Sequence, residues 1–160
     1  MLGARAATDG WMMGQVNIGR MLAGALVAAV ILFVIESFIN GSILGSAWES
    51  WAKALGPTYH APPLAIAMVI WAIVALLHGL TGMLIYVGIR PRFGAGPKTA
   101  LLAGVLLWIP AFLTHGLSQF ALGDIPDRII MIGWIGGLIA TVVAVVAGAA
   151  TYQEQMSEVR

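Results

Sequence analysis

Three stretches of this chain, residues 54–89, 99–123 and 129–153, contain no Asp, Glu, Lys or Arg, and a fourth that begins at Met21 is interrupted only by Glu36. A bilayer-spanning helix needs about 20 mostly apolar residues, so each of the four stretches is long enough to cross. A chain of 160 residues that is 60% hydrophobic and 9% charged, with a mean hydropathy of +0.93, has too little polar surface to clothe a water-soluble globule. Lipid is the solvent it fits. The expected fold is all-α and polytopic: helices over about 17–39, 63–89, 98–122 and 128–152, with a short interfacial helix over 47–55, all within one domain covering 1–160. So little chain lies outside the helices that no soluble module with its own core or nucleotide fold is expected. A nucleic-acid partner is not expected either.

Without cysteine, disulfides, thiolate metal sites, iron–sulfur clusters and thiol nucleophiles are excluded. The apolar run after Arg20 continues beyond the length of a signal-peptide core, and no small-x-small cleavage pattern precedes Glu36 and Phe38. Residues 1–15 therefore read as a short arm with Trp11 at the headgroups, and Asn17 reads as the N-cap of the first helix. Basic residues alternate between the two sides. Arg5, Arg20, Arg90, Arg92, Lys98 and Arg160 fall on one, Lys53 and Arg128 on the other. By the positive-inside rule, the first side, with both termini and the 90–98 loop, is cytoplasmic.

The first outer loop carries its own helix signals. Ser46 and Glu49 have the S-x-x-E spacing of a capping box, and Gly56-Pro57 is a stop. Trp48, Trp51, Ala52 and Leu55 would share one face, suited to lying flat in the headgroups or to covering a pocket beneath. In the opposite loop Arg90, Arg92 and Lys98 stand beside a helix start, with Gly96 as cap and Pro97 in the first turn. Cations at a helix N-terminus suit an anionic lipid or a partner's carboxylate. The G-x-x-x-x-G-K-[ST] pattern of a nucleotide loop is absent.

The segments Asn17-Ile-Gly-Arg20, Glu36-Ser-Phe-Ile-Asn-Gly41 and Arg90-Pro-Arg-Phe-Gly-Ala-Gly-Pro-Lys-Thr99, in that order and at those separations, resemble small four-helix bacterial inner-membrane proteins of uncharacterised activity. The resemblance covers most of the chain and implies a multi-pass bacterial inner-membrane protein. It carries no site residue with it.

Ionisable groups within spans are expensive, and they mark candidate sites. At a rise of 1.5 Å per residue, Glu36 lies roughly 24 Å above Arg20, His115 roughly 26 Å above Lys98 and His78 roughly 18 Å above Arg90. Glu36 and His115 thus share an outer layer, with Asn40 and Gln119 one turn further out. A Glu36–His115 pair is expected there, as a polar clasp, a proton relay or part of a small outward pocket. Ala111, four residues before His115, leaves room beside the imidazole, an A-x-x-x-H arrangement like that seating bacteriochlorophyll in light-harvesting helices. A tetrapyrrole at His115 is accordingly a minor alternative to the expectation of no cofactor. No metal-ligand cluster and no hydrolase or metalloprotease pattern is present.

Helix 4 carries Gly133, Gly137, Thr141, Ala144 and Gly148 along one side, a spacing that permits close helix packing. The expectation is a non-enzymatic accessory or scaffold subunit of a larger membrane complex, for instance an energy-transducing one, touching lipid and other subunits or a second copy of itself. The alternative is a small transporter or a lipid- or quinone-binding protein that works through Glu36, His115 and Gln119.

Overall fold

The computed structural model describes residues 16–153, so the expected arm at 1–15 with Trp11 lies outside the described residues. Among the described residues six α-helices form: α1 (Ile18–Phe38), α2 (Gly45–Ala54), α3 (Leu64–Phe93), α4 (Pro97–Trp108), α5 (Thr114–Leu122) and α6 (Asp127–Ala150). Two five-residue π turns, Ile39–Ile43 and Ile109–Leu113, carry α1 toward α2 and join α4 to α5. Four continuous helical stretches result: Ile18–Ile43, Leu64–Phe93, Pro97–Leu122 and Asp127–Ala150. Each is long and apolar enough to cross a membrane. The protein is an all-α polytopic membrane protein.

The helix ends follow local chemistry. Asn17 caps α1, its side-chain oxygen accepting the Arg20 amide at 3.0 Å. α3 continues past its expected end at 89, through Pro91, and stops at Gly94, whose φ of 83° belongs to a glycine. Gly96, with φ 132°, then turns the chain into Pro97, the first residue of α4. The capping box does not form. The π turn brings the chain to Leu44 already helical, with Leu44 N–H donating to the Ile39 carbonyl and Trp48 N–H to the Leu44 carbonyl. α2 therefore begins at Gly45 with no side-chain cap, and Ser46 sits inside its first turn.

Lipid gives helices little hydrophobic reason to associate, so close packing must hold the bundle together. α1 lies between α3 and α6, and α4 packs on α6 and α3. At the α1–α6 crossing, a Cβ on Gly24 would lie 2.7 Å from the Gly148 carbonyl oxygen. At the α4–α6 crossing, one on Gly104 would lie 2.7 Å from the Val142 Cα. Gly79 meets Ala25 and Ala29 of α1 in the same way. Among the described residues three core clusters fill the space between: Met83, Leu107 and Val145 near the basic end, Ala28, Leu32, Ala75, Ala140 and Ala144 in the middle, and a smaller one of Ile39, Leu44 and Ile129 against Trp48 and Trp51. The buried Thr141 hydroxyl donates back to the Gly137 carbonyl at 2.8 Å, so no polar group is stranded there.

The small-residue side of α6 is thus engaged within the chain: Gly137, Thr141, Ala144 and Gly148 are all buried. Gly133 departs from the expected stripe, since a Cβ there would meet nothing within 4 Å. Gly136 takes the packing role instead, against Ile39. Toward the Trp-rich end the bundle loosens. No residue of α3 before Ala75 is buried, and α5 buries only Gly116.

Candidate functional site

Polar side chains gather where the first π turn meets α2. Glu36 lies on the buried side of α1, one turn beyond Leu32. Asn40, four residues on, donates its side-chain amide to the Glu36 carbonyl at 3.0 Å and to Oε2 at 3.2 Å. The Asn40 carbonyl oxygen accepts the Trp48 indole N–H at 3.1 Å. Trp51 donates its own indole N–H to the Asp124 carbonyl at 2.6 Å, and its ring meets Trp48 edge-on at 5.6 Å and Tyr59 at 5.7 Å. α2 is therefore fastened at two points, to the end of α1 and to the loop between α5 and α6. One oxygen of the cluster remains alone: Glu36 Oε1 is buried and has no hydrogen-bond partner among the described residues.

His115 does not join Glu36. Among the described residues no hydrogen bond or ion pair links them; the carboxylate pairs with Asn40, and His115 is exposed on α5. The π turn at Ile109–Leu113 explains the difference. Pro110 has no amide hydrogen to give the preceding turn, and a π turn takes one extra residue. That extra residue rotates α5 by about 100° relative to an unbroken α-helix. The alignment of Gly104, Trp108, Ala111, His115 and Gln119 is thereby broken: Gly104 is buried, Gln119 half-buried and His115 outside.

The same turn takes part in a pair of indole bonds that link α4, the π turn and α6. Trp108 donates to the Trp134 carbonyl at 2.9 Å, and Trp134 donates to the Phe112 carbonyl at 3.1 Å. Two glycines make room for the rings. Any Cβ on Gly116 would collide with the Trp134 indole, and any on Gly137 with the Phe112 ring. His78, half-buried on α3, lies with its ring 5.9 Å from Phe112. It packs against the π turn and is not paired with His115. His60 is exposed in the connection between α2 and α3.

At the basic end Arg90 sits 5.2 Å above the Tyr152 ring, and the Tyr152 ring meets Tyr86 at right angles with centroids 6.2 Å apart. Thr99 closes the α3–α4 turn by donating to the Gly94 carbonyl at 2.7 Å. Arg92 and Lys98 are exposed. Among the described residues there is no group of three or more His, Asp or Glu able to hold a metal ion.

Sequence reasoning missed Trp48, Trp108, Trp134 and the two tyrosines as polar partners. An indole or phenol inside a span has to place its N–H or O–H somewhere, and that signal was available. Compared with protein-family models, curated proteins and solved structures, the chain matches none.

Proposed function

We propose that this protein is a non-enzymatic subunit of a larger assembly in a bacterial inner membrane, and that it meets its partner through the face of α5 that carries His115. The observation behind this reading is the exposure of His115 inside a span. It lies eight residues before Gly123, roughly 12 Å along the helix from that turn. Ionisable side chains at such depth rarely face lipid; they turn inward, or pair with a neighbour. Thr114 and Ser118 return their hydroxyls to the carbonyls of Pro110 and Thr114, at 2.9 and 3.0 Å. His115 has no such partner among the described residues, and Leu122, two turns further along the same face of α5, is also exposed. A neighbouring subunit would cover both. Because the glycine side of α6 is used within the chain, α5 rather than α6 is the contact surface. The six-to-two division of basic residues supports cytoplasmic termini, and the resemblance to small four-helix proteins supports the bacterial inner membrane.

A photoreactive amino acid placed at His115 should cross-link to one defined polypeptide in cells, while the same group at Ile139, exposed on α6, should not. Cross-links to lipid alone at both positions would contradict the proposal.

The partnerless Glu36 Oε1 supports a second reading, a small transporter or a lipid- or quinone-binding protein that uses the cluster under α2. In that case the purified protein alone, in liposomes, should change solute flux or retain the ligand, and Glu36→Gln should abolish the effect.

A further inference from the structure

A cavity of about 140 Å³ opens at the basic end, between the last turns of α3 and α6 and the first turn of α4, lined by Tyr86, Gly96, Pro97, Ala100, Val146 and Ala150. We infer that it seats the phosphate and glycerol of an anionic phospholipid. This goes beyond the subunit reading and does not depend on it.

The cavity wall carries a phenol with a proton to give, that of Tyr86. Tyr86 is 3% exposed, and its oxygen accepts the Gly96 amide at 3.4 Å. That bond leaves the phenolic proton with no acceptor among the described residues. Tyr152, outside the lining and edge-on to Tyr86, is 5% exposed, and its hydroxyl is buried with no partner among the described residues. Buried polar groups are hydrogen-bonded as a rule, and a phenol can donate as well as accept. A buried phenol on the cavity wall, its proton without an acceptor among the described residues, asks for an oxygen from outside.

The α4 side of the cavity suits an anion. α4 starts at Gly96 with no side-chain cap and no acidic residue in its first turn, so its leading amides face the rim with the positive end of the helix dipole. Lys98 and Arg92 stand exposed on the same loop, and no Asp or Glu occurs between Ala54 and Gly123. Basic pockets between transmembrane helices on the positive side are where acidic headgroups collect. The walls separate a lipid from free phosphate. Pro97, Ala100, Val146 and Ala150 offer apolar surface that inorganic phosphate cannot use and that a glycerol backbone with its first acyl methylenes covers.

The test is native mass spectrometry of the full chain in detergent, titrated with phosphatidylglycerol, with phosphatidylcholine, or with inorganic phosphate. Wild type should retain one phosphatidylglycerol in preference to phosphatidylcholine. Tyr86→Phe, which keeps the ring and loses the donor, should weaken retention about tenfold. Ala150→Phe, which fills the cavity from its exposed rim, should abolish it; because this change is at the surface, it reports on the site even if Tyr86→Phe folds poorly. Retention unchanged by either substitution, or equal retention of the two lipids, would overturn the inference. So would inorganic phosphate displacing phosphatidylglycerol at equal concentration.

Discussion

Trp134 of α6 donates its indole N–H to the backbone carbonyl of Phe112 at 3.1 Å, and it reaches that carbonyl only because residue 116 is glycine. The bond spans α6 and the π turn at the middle of the third span. It fixes the direction in which α5 leaves α4, and with it the outward placement of His115.

Gly116→Ala should therefore expel the indole. The expected loss is about 1 kcal/mol for the hydrogen bond, plus about 1–3 kcal/mol for the overpacking. Thermal unfolding in detergent measures the sum. Trp134→Phe should lose the first part and keep most of the packing. Equal stability of Gly116→Ala and wild type would show that the indole bond does not hold α5 in place.

Helix packing gives a sharper contrast within α6. Gly148→Leu pushes into the Gly24 carbonyl and Met83, whereas Gly133→Leu enters open space. The first should destabilise the bundle by more than about 2 kcal/mol. The second should stay within about 0.5 kcal/mol, as changes away from packed features do. Similar melting temperatures for the two variants would mean that α1 and α6 do not cross at Gly24 and Gly148.

The fastening of α2 is testable by a double-mutant cycle. Asn40→Ala and Trp48→Phe each remove one end of the 3.1 Å bond between them. The double variant should lose less than the sum of the singles by about 0.5–1 kcal/mol. Strict additivity would show that the two side chains act independently.

Much of this architecture was legible from charge alone. Four nearly uncharged runs located four spans, Asn17 announced the start of α1, and the Gly96-Pro97 pair announced that of α4. Side-chain placement around the helix was not legible. Rise per residue put Glu36 and His115 at one depth, but depth says nothing about azimuth, and the π turn at Pro110 swung His115 away. The Glu36–Asn40 contact obeyed plain i,i+4 spacing and could have been preferred on that ground. Ser46 and Glu49 misled for a different reason: a capping box needs a free helix start, and the π turn had already supplied the preceding turn. The glycines of α6 were recognisable as packing residues, but the exchange of Gly133 for Gly136 depended on where Ile39 arrives, which only the folded chain decides.

Membrane topology can be read directly because the chain has no cysteine. Single cysteines at Ala95 and Ser50, both exposed, report the two ends of the bundle. In intact cells an impermeant maleimide should label the Ser50 site and spare the Ala95 site. The opposite pattern would reverse the orientation inferred from the basic residues.

The central claim, that the α5 face carrying His115 is covered by another subunit, is tested most directly by native mass spectrometry of the untagged protein released from its membrane in mild detergent. The expected result is a complex of fixed stoichiometry with a second polypeptide, and its loss in His115→Leu, a variant whose own melting temperature stays at the wild-type value. Wild-type protein that emerges as a monomer carrying lipid alone, or a complex that His115→Leu leaves intact, would contradict it.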